Sequence, residues 1–182
     1  MQVPHRDDHA VAAVLDRLTT TGCVVTTAAR GVQDGCFVGF ITPCSLEPLR
    51  LLICTSHENL THTLIDQSGV LAVHLVARDQ VAWVERFGYQ SGRETDKFAG
   101  LAWSPGVTGS PILRDALGYL EGRVLASLDC GDHTARLVEP VAAGLRDWPA
   151  VPLTMFEVLA RGLQQPHVPP PYPWTGFDRP PV

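Results

Sequence analysis

The chain has 182 residues, of which 45% are hydrophobic and 18% are charged, and its formal net charge at pH 7 is −5. A chain of this length can bury a substantial core, so we expect one compact globular domain. The negative charge and the lack of a basic run argue against nucleic acid and anionic membrane surfaces as partners, so an anionic ligand would have to be held by local groups.

The sequence suggests neither a membrane segment nor a targeting segment. No apolar run reaches the roughly 18 residues that a membrane-spanning helix needs, and the first residues lack the apolar core of a signal peptide. The five cysteines are odd in number and scattered, without a CxxC pair, which predicts reduced thiols and a cytoplasmic location. The cysteines and the seven histidines do not fall at ligand spacing, so we predict no metal site.

The first part of the chain predicts one helix and three strands. Apolar residues at helical spacing predict a helix over Asp7–Leu18, and a β-branched run predicts a strand over Cys23–Ala28. A glycine-bearing turn is predicted at Arg30–Gly35. Two nearly continuous apolar runs, Phe37–Thr42 and Leu49–Thr55, predict strands buried on both faces, as in a small barrel with a helix or a second subunit outside it. The small polar residues between these runs predict a turn.

The middle of the chain alternates between helical and strand patterns. A helix is predicted over Ser56–Gln67, a strand over Val70–Val76 and a second helix over Arg78–Phe87. A polar loop with two glycines and a charge cluster follows at Gly88–Thr95. Loops of this kind often carry ligand contacts.

The remaining residues predict a hairpin, a short helix and a tail. Two strands, Leu117–Leu128 and Thr134–Ala143, are joined by Asp129–His133, whose aspartates and glycine favour a tight antiparallel turn. A short helix is predicted over Met155–Leu163. The proline-rich tail Gln164–Val182 fits neither a helix nor a sheet.

Together these elements predict a mainly β fold, an antiparallel barrel with peripheral helices. We expect a barrel domain over residues 1–145 and a C-terminal extension over residues 146–182, made of the short helix and the tail. The GxGxxG and P-loop patterns are absent from the sequence, which argues against a Rossmann domain.

The predicted junction of strand and helix near Ser56 is the first candidate site. Free N–H groups and the positive end of the helix dipole meet there, an arrangement that suits a phosphate. Thr55, Ser56, Asn59 and Thr61 offer side-chain donors, and His57 could reach a phosphate. The alternative is a plain helix cap, and the residues alone favour that alternative.

Five short segments occur in an order that points to one family. In chain order they are Thr26-Thr27, Gly35–Pro48, Asp96-Lys97-Phe98, Gly109–Leu113 and Gly131-Asp132-His133. This ordered set, spread over about residues 10 to 143, resembles the flavin reductase-like, FMN-binding split-barrel family. The resemblance implies an antiparallel split β-barrel with flanking helices, assembled as a homodimer with the flavin near the subunit interface.

The resemblance also implies a function. It predicts an FMN-dependent oxidoreductase of the flavin reductase type, which passes hydride from NADH or NADPH to flavin and would supply a partner monooxygenase. FAD in place of FMN stays open. Two alternatives also stay open: a flavoprotein that retains FMN and acts on an organic substrate, and a flavin-binding module without turnover.

The same resemblance implies which residues hold the flavin. In the family the strand-to-helix junction cradles the flavin phosphate or ribityl chain, so the phosphate site is now favoured over the plain cap. Arg93 and Lys97 of the polar loop would supply positive charge, and a solvated loop charge is the alternative for each. The family segment that contacts the flavin ring, largely through main-chain groups, corresponds to Val38–Ser45, and the predicted ring contacts within it are Ile41, Thr42, Pro43, Cys44 and Ser45.

The ring-contacting segment departs from the family pattern at three positions. Gly39, Phe40 and Pro43 stand where the family usually has serines and threonines. Pro43 has no N–H group, so one potential donor to the ring is missing.

The sequence predicts a ligand-binding role for one histidine and a core position for another. His133 matches a family motif linked to nicotinamide binding, and the resemblance implies that it hydrogen-bonds the nicotinamide or stabilises negative charge on reduced flavin. Without the resemblance His133 would simply be a polar residue that follows a hairpin turn. His74 lies inside an apolar strand, which predicts a core histidine whose hydrogen bonds are satisfied within the protein.

Overall fold

The computed structural model describes Leu18, residues 20–146 and residues 150–163. Apart from Leu18, the predicted helix Asp7–Leu18 lies outside the described residues, and so does the predicted tail Gln164–Val182. The described strands are β1 (Cys23–Ala29), β2 (Val32–Val38), β3 (Ile41–Leu46), β4 (Leu49–Ser56), β5 (Val70–Leu75), β6 (Trp103–Pro105), β7 (Pro111–Leu113), β8 (Gly118–Asp129) and β9 (His133–Leu145). The described helices are α1 (Leu60–Ser68), α2 (Val81–Tyr89) and α3 (Met155–Ala160).

Seven strands form one antiparallel sheet in the order β2-β1-β5-β8-β9-β4-β3, and β6 and β7 pair separately. The two edge strands, β2 and β3, are consecutive in the chain, with only Gly39 and Phe40 between them. A link of two residues can join opposite edges only if the sheet curls until those edges meet. The sheet is therefore a split β-barrel with flanking helices, as predicted.

Alternate residues of β1 and β2 face two different cores. Val25 and Cys36 face the barrel interior together with Ile53 of β4 and Ile65 of α1. Their neighbours Val24 and Phe37 pack outside the barrel, against Trp83, Val84 and Phe87 of α2. The β2 strand is thus buried on both faces from Cys36 to Val38, as its apolar run predicts. By contrast, β4 is fully buried only at Ile53 and Thr55.

The first predicted turn is shorter than the sequence suggested. Arg30 and Gly31 both have positive φ, 51° and 80°, which is the geometry of a two-residue hairpin turn. Because the turn needs only these two residues, β2 already begins at Val32 and pairs with β1 as far as Val38, so residues 32–35 belong to the strand and not to the turn. The predicted strand Phe37–Thr42 is wrong at its centre, since the chain leaves one sheet edge at Gly39 and joins the other after Phe40.

The turn predicted between the two apolar runs is also wrong, because those residues form strand β3. The strand pairs with β4 from Ile41 to Leu46, with a register shift between Pro43 and Ser45. An edge strand pairs on one side only, so a proline and a bulge are tolerated there. This makes Pro43 compatible with the sheet although it has no N–H group.

The helix predicted to begin at Ser56 begins later, at Leu60, with Asn59 as its N-cap residue. The cause is β9, which pairs with β4 as far as Ser56 and keeps the chain extended there. The C-terminus agrees with the prediction, since Gly69 ends the helix with a φ of 68°.

Part of the predicted C-terminal extension packs on the barrel. The predicted short helix is confirmed as α3, which carries a capping box formed by Thr154 and Glu157. Leu153, just before it, is fully buried and exchanges backbone hydrogen bonds with Gly22 and Val76. The domain boundary at residue 145 stays a prediction. In the described ranges, helices are too short or too polar to cross a membrane.

His74 is the core histidine that the sequence predicts. It is fully buried, its Nδ1 lies 3.1 Å from the carbonyl of Val24, and its Nε2 accepts the N–H of Leu113 at 3.1 Å. Nδ1 therefore carries the hydrogen, and both ring nitrogens are satisfied in the neutral form. Burial disfavours the charged ring and lowers the pKa of His74 to about 4.

We predict that the free energy of unfolding decreases as the pH falls from about 6.5, the ordinary imidazole pKa, to about 4. In this pH window the unfolded chain binds a proton that the folded chain does not. The free energy of unfolding is therefore full above the window and falls by on the order of 3 kcal/mol as the pH is lowered across it. Urea unfolding at a series of pH values measures the slope. In His74→Gln, which is less stable throughout but cannot gain this proton, the slope should be smaller. An equal slope in the two proteins would contradict the assignment.

Candidate functional site

The junction of β4 and α1 lies against the turn that opens β9. Ser56 pairs with His133 at the end of the ladder, and the N–H of His57 donates to the carbonyl of Asp132 at 3.1 Å. The side chain of His57 also contacts Thr134, 77 positions along the chain, with Nε2 and Oγ1 3.0 Å apart. Two regions that the sequence analysis treated separately therefore form one site.

The N-terminus of α1 is open to a ligand. Asn59 is the N-cap residue, but its side chain makes no capping hydrogen bond, and Ser56 Oγ accepts the N–H of Glu58 at 3.3 Å instead. Arg93 reaches this junction from the polar loop and donates to the carbonyl of Glu58 at 2.7 Å. The uncapped N–H groups, the dipole of the helix and an arginine together favour an anion at this point.

Two of the predicted phosphate ligands are instead engaged inside the protein. Thr61 is fully buried and donates to Asp34 Oδ2 at 2.7 Å. Lys97 is buried as well, with Nζ 3.4 Å from Asp34 Oδ1 and a hydrogen bond of 2.7 Å to the carbonyl of Gly35. Both side chains neutralise or hydrogen-bond a buried carboxylate, which needs such partners.

Thr55 is also committed to an internal partner. It is buried, and its hydroxyl accepts a hydrogen bond from Arg136 Nη1. Because Thr55, Thr61 and Lys97 all point into the protein, none of the three is available to a phosphate at the junction.

The face of β4 and β9 that is turned away from the barrel interior is partly exposed. Cys54 pairs with Ala135 and Ser56 pairs with His133, and side chains of directly paired residues share a face of the sheet. Three of these four side chains are small. Phe40 borders the face, with its ring centroid 5.3 Å from that of His133 and the rings nearly perpendicular.

His133 has a defined hydrogen at one ring nitrogen. Its Nδ1 lies 2.8 Å from Asp132 Oδ1, and this hydrogen bond lowers the pKa of the Asp132 carboxyl. An ionised carboxylate only accepts, so Nδ1 of His133 is the donor, and Nε2 is left for a ligand. Phe40 beside it is 62% exposed, which leaves its ring accessible to a second flat group.

Strand β3 borders the same face. Thr42 pairs with Leu52 and so shares the face with Cys54 and Ser56. Ile41 pairs with Ile53 and packs on the barrel core instead. The structure leaves Pro43 and Cys44 exposed on the edge and Ser45 half-buried.

Similarity to known proteins shows the family of this chain. The model of the flavin reductase like domain matches residues 15–158. The chain belongs to the flavin reductase-like family.

Individual relatives within the family are moderately similar. The reductase subunit HsaB of a flavin-dependent monooxygenase from Rhodococcus jostii is 32% identical over 127 residues, covering 70% of this chain and 64% of that protein. The FMN reductase (NADH) RutF of Stutzerimonas stutzeri is 29% identical over 142 residues, covering 78% of this chain and 80% of the relative. The crystal structure of nitrilotriacetate monooxygenase component B from Mycobacterium thermoresistibile superposes with a TM-score of 0.73, at 28% identity and 83% coverage of both chains.

A flavin, the cofactor that this family implies, fits the groups present at the site. The donor set at the junction suits a phosphate, since it combines uncapped helix N–H groups with Arg93 and His57. The face of β3, β4 and β9 carries Thr42, Cys54 and Ala135 beside Leu52 and Leu137, which suits the apolar plane of a ring. The two lie side by side because Ser56 belongs to both.

Sequence reasoning missed a cluster beneath the junction. Thr134 Oγ1 is 3.0 Å from Nε2 of His57 and 3.0 Å from Nε2 of His62. Asp66 Oδ1 accepts from Arg136 Nη2 at 2.6 Å and its Oδ2 lies 3.6 Å from His62 Nδ1. The only sequence signals were the i, i+4 spacing of His62 and Asp66 and two polar residues at inward positions of β9.

A cavity of about 350 Å³ opens elsewhere, between the end of β6 with the loop residues that follow it and β8. Its one charged wall residue, Glu121, already accepts hydrogen bonds from the N–H groups of Val107 and Thr108 and from the Thr108 hydroxyl. A carboxylate repels a phosphate, so this cavity does not suit a nucleotide. Within the described ranges we find no cluster of three or more side chains suited to hold a metal ion.

Proposed function

We propose that this protein is a flavin reductase, which transfers hydride from NADH or NADPH to FMN. The observation that carries the proposal is the placement of His133 and Phe40 beside the open N-terminus of α1. An open helix N-terminus and a partly exposed aromatic pair lie at adjacent positions. A flavin mononucleotide requires the first for its phosphate, and a nicotinamide requires the second. The FMN reductase (NADH) RutF is a relative that supports this choice, and FAD is the alternative flavin.

The phosphate would be held at the start of α1. Its N–H groups, the side chains of Ser56 and Asn59, His57 and Arg93 are the donors within reach of that point. Such local donors are required because a chain with a net charge of −5 offers no general positive field to a phosphate. Backbone N–H groups contribute directional hydrogen bonds, while Arg93 contributes the full positive charge that a phosphate monoester needs.

The flavin ring would lie on the face of β3, β4 and β9. Thr42 and the backbone around Cys44 and Ser45 would meet the polar edge of the ring, and Cys54 and Ala135 would lie under its plane. Pro43 contributes only its carbonyl, because it has no N–H group. The side chains of this face would exclude water from one side of the flavin ring and leave its opposite side open to the nicotinamide.

The hydride step would need alignment more than acid–base catalysis. A bound flavin supplies the two-electron chemistry. His133 would bind and orient the nicotinamide through Nε2, while Asp132 holds the hydrogen on Nδ1. Phe40 would limit the positions that the nicotinamide can take. Positioning of this kind is the main contribution that the protein makes to a transfer between two cofactors.

We also propose that the reduced flavin passes to a separate monooxygenase in the cytoplasm. A relative, HsaB, is the reductase subunit of a flavin-dependent monooxygenase, which supports such a partner. All five cysteines are free thiols, and two of them, Cys44 and Cys130, are exposed, which suits a reducing compartment.

A homodimer is part of this proposal. Beyond Val124, whose N–H donates to the carbonyl of Gly69, the outer side of β8 is an unpaired edge in the described sheet, since β5 pairs only with Gly118–Arg123. This edge of the β8–β9 hairpin exposes Leu125 at 48% and Leu128 at 67%. An unpaired strand edge and large exposed apolar side chains favour an interface, so a second copy would cover them.

We predict that the purified protein oxidises NADH or NADPH when free FMN is added, and that His133→Ala slows flavin reduction roughly tenfold to a hundredfold while FMN still binds. The loss follows from misalignment of the nicotinamide. Stopped-flow absorbance of the flavin measures the rate, and equilibrium titration measures FMN binding. Cys130→Ser, in the same turn, is the matched control and should react at the parent rate.

The same assay separates the alternatives. Turnover that requires an added organic substrate would favour a flavoprotein that retains FMN. Bound FMN with neither kind of turnover would favour a binding module. An unchanged reduction rate in His133→Ala would remove this residue from the site.

We further predict that the parent protein sediments at about twice its chain mass of 19.7 kDa and that Leu128→Glu shifts it to the monomer. A buried unpaired carboxylate opposes association, whereas exposure on a monomer costs little. Val107→Glu, an exposed position outside the hairpin, is the control and should remain dimeric. A monomeric parent protein at micromolar concentration would refute the dimer.

A further inference from the structure

The hydroxyl of Thr134 lies between two imidazoles. We propose that Thr134 is a positioning residue that fixes the tautomers of His57 and His62, so that His57 presents Nδ1 to the flavin phosphate. The phosphate part of this inference rests on the proposed function, whereas the tautomers can be tested without any flavin.

Counting hydrogens assigns the tautomers. The carboxylate of Asp66 accepts but cannot donate, and its Oδ2 lies 3.6 Å from Nδ1 of His62, close enough to favour a hydrogen on that nitrogen. Nε2 of neutral His62 is then bare and accepts the O–H of Thr134 at 3.0 Å. A hydroxyl has only one hydrogen, so the Thr134 oxygen must accept from Nε2–H of His57, also at 3.0 Å. Neutral His57 is left with a bare Nδ1.

The environment decides which ring can meet a ligand. The side chain of His62 is 15% exposed, and burial, with Arg136 close by, lowers the pKa of His62. His57 is exposed at the junction, so its bare Nδ1 is the nitrogen that a ligand can reach. The charged and titratable groups that face this pair are Asp66 of α1, Arg136 of β9, Asp132 and His133 of the preceding turn, Glu58 of the junction and Arg93 of the polar loop.

An ionised phosphate has no hydrogen to offer a bare nitrogen, so a phosphate bound at Nδ1 requires a proton there, which turns His57 into a cationic donor beside the uncapped end of α1. A phosphate gains a charge-assisted hydrogen bond from such a group, and a ligand without a phosphate does not. Because FMN would then bind together with a proton, affinity for FMN should rise as the pH is lowered, and affinity for riboflavin should not. Thr134 contributes by holding the ring so that Nδ1, not Nε2, is the nitrogen left for the ligand.

Two-bond ¹H–¹⁵N spectra of the ligand-free protein at about pH 8, where imidazoles are neutral, test the tautomers directly. We expect His57 to carry its hydrogen on Nε2 and His62 on Nδ1. Thr134→Ser keeps the hydroxyl and should preserve both assignments. Thr134→Val keeps the shape and the strand preference of the side chain but lacks the hydroxyl, so His57 should become a mixture of tautomers. The inference is overturned if His57 carries its hydrogen on Nδ1 in the parent protein, or if Thr134→Val changes neither ring.

Titration with FMN and riboflavin between about pH 5.5 and 8 tests the phosphate role, with thermal unfolding to confirm that each variant is folded. We expect Thr134→Val to weaken FMN binding about fivefold near the acidic end and to flatten its pH dependence, with riboflavin binding unchanged and Thr134→Ser close to the parent protein. Equal weakening of both ligands would overturn the phosphate role. If neither flavin binds while the tautomers are as assigned, the proposed function fails and the phosphate role fails with it.

Discussion

The pairing of β4 with β9 as far as Ser56 and His133 is the constraint on which the site depends. It keeps the chain extended for one turn longer than the local sequence favours, and so sets the start of α1 at Leu60. The same pairing places the turn that carries Asp132 next to the open helix end. A point for a phosphate and a point for a nicotinamide thus become adjacent through one ladder of backbone hydrogen bonds.

Two ion pairs hold α1 where that ladder requires it: the first is buried on both sides, and in the second Arg136 is buried while Asp66 is 52% exposed. At its first turn Thr61 binds Asp34, which is neutralised by Lys97, and near its last turn Asp66 binds Arg136. A carboxylate or guanidinium buried without such a partner would be strongly destabilising, so each pair restricts the helix to one position. Asp34 also packs against Gly92, where a Cβ would collide with its carboxylate. The polar loop that carries Arg93 is fixed to the barrel in the same way.

The local sequence pattern was sufficient to predict the elements whose structure depends on neighbouring residues alone. The β-branched run of β1, the long hairpin of β8 and β9 and the histidine buried at position 74 are examples, and the ordered short segments identified the family. Elements decided by distant partners were not predictable. Strand β3 contains small polar residues and Pro43, and only its pairing with β4 makes it a strand. The sequence around Lys97 is typical of a solvated loop charge. Its side chain is buried instead, because it pairs with the buried carboxylate of Asp34, which is far away in the chain.

The central claim is that a flavin phosphate binds at the start of α1 with its ring on the adjoining face of β3, β4 and β9. A crystal structure of the protein with FMN tests it most directly. We expect a phosphate within hydrogen-bond distance of the N–H groups of the first turn of α1 and of His57 and Arg93, with the ring lying over Cys54 and Ala135. A phosphate bound elsewhere, or this face covered by the protein's own side chains with no space for a tricyclic ring, would contradict it.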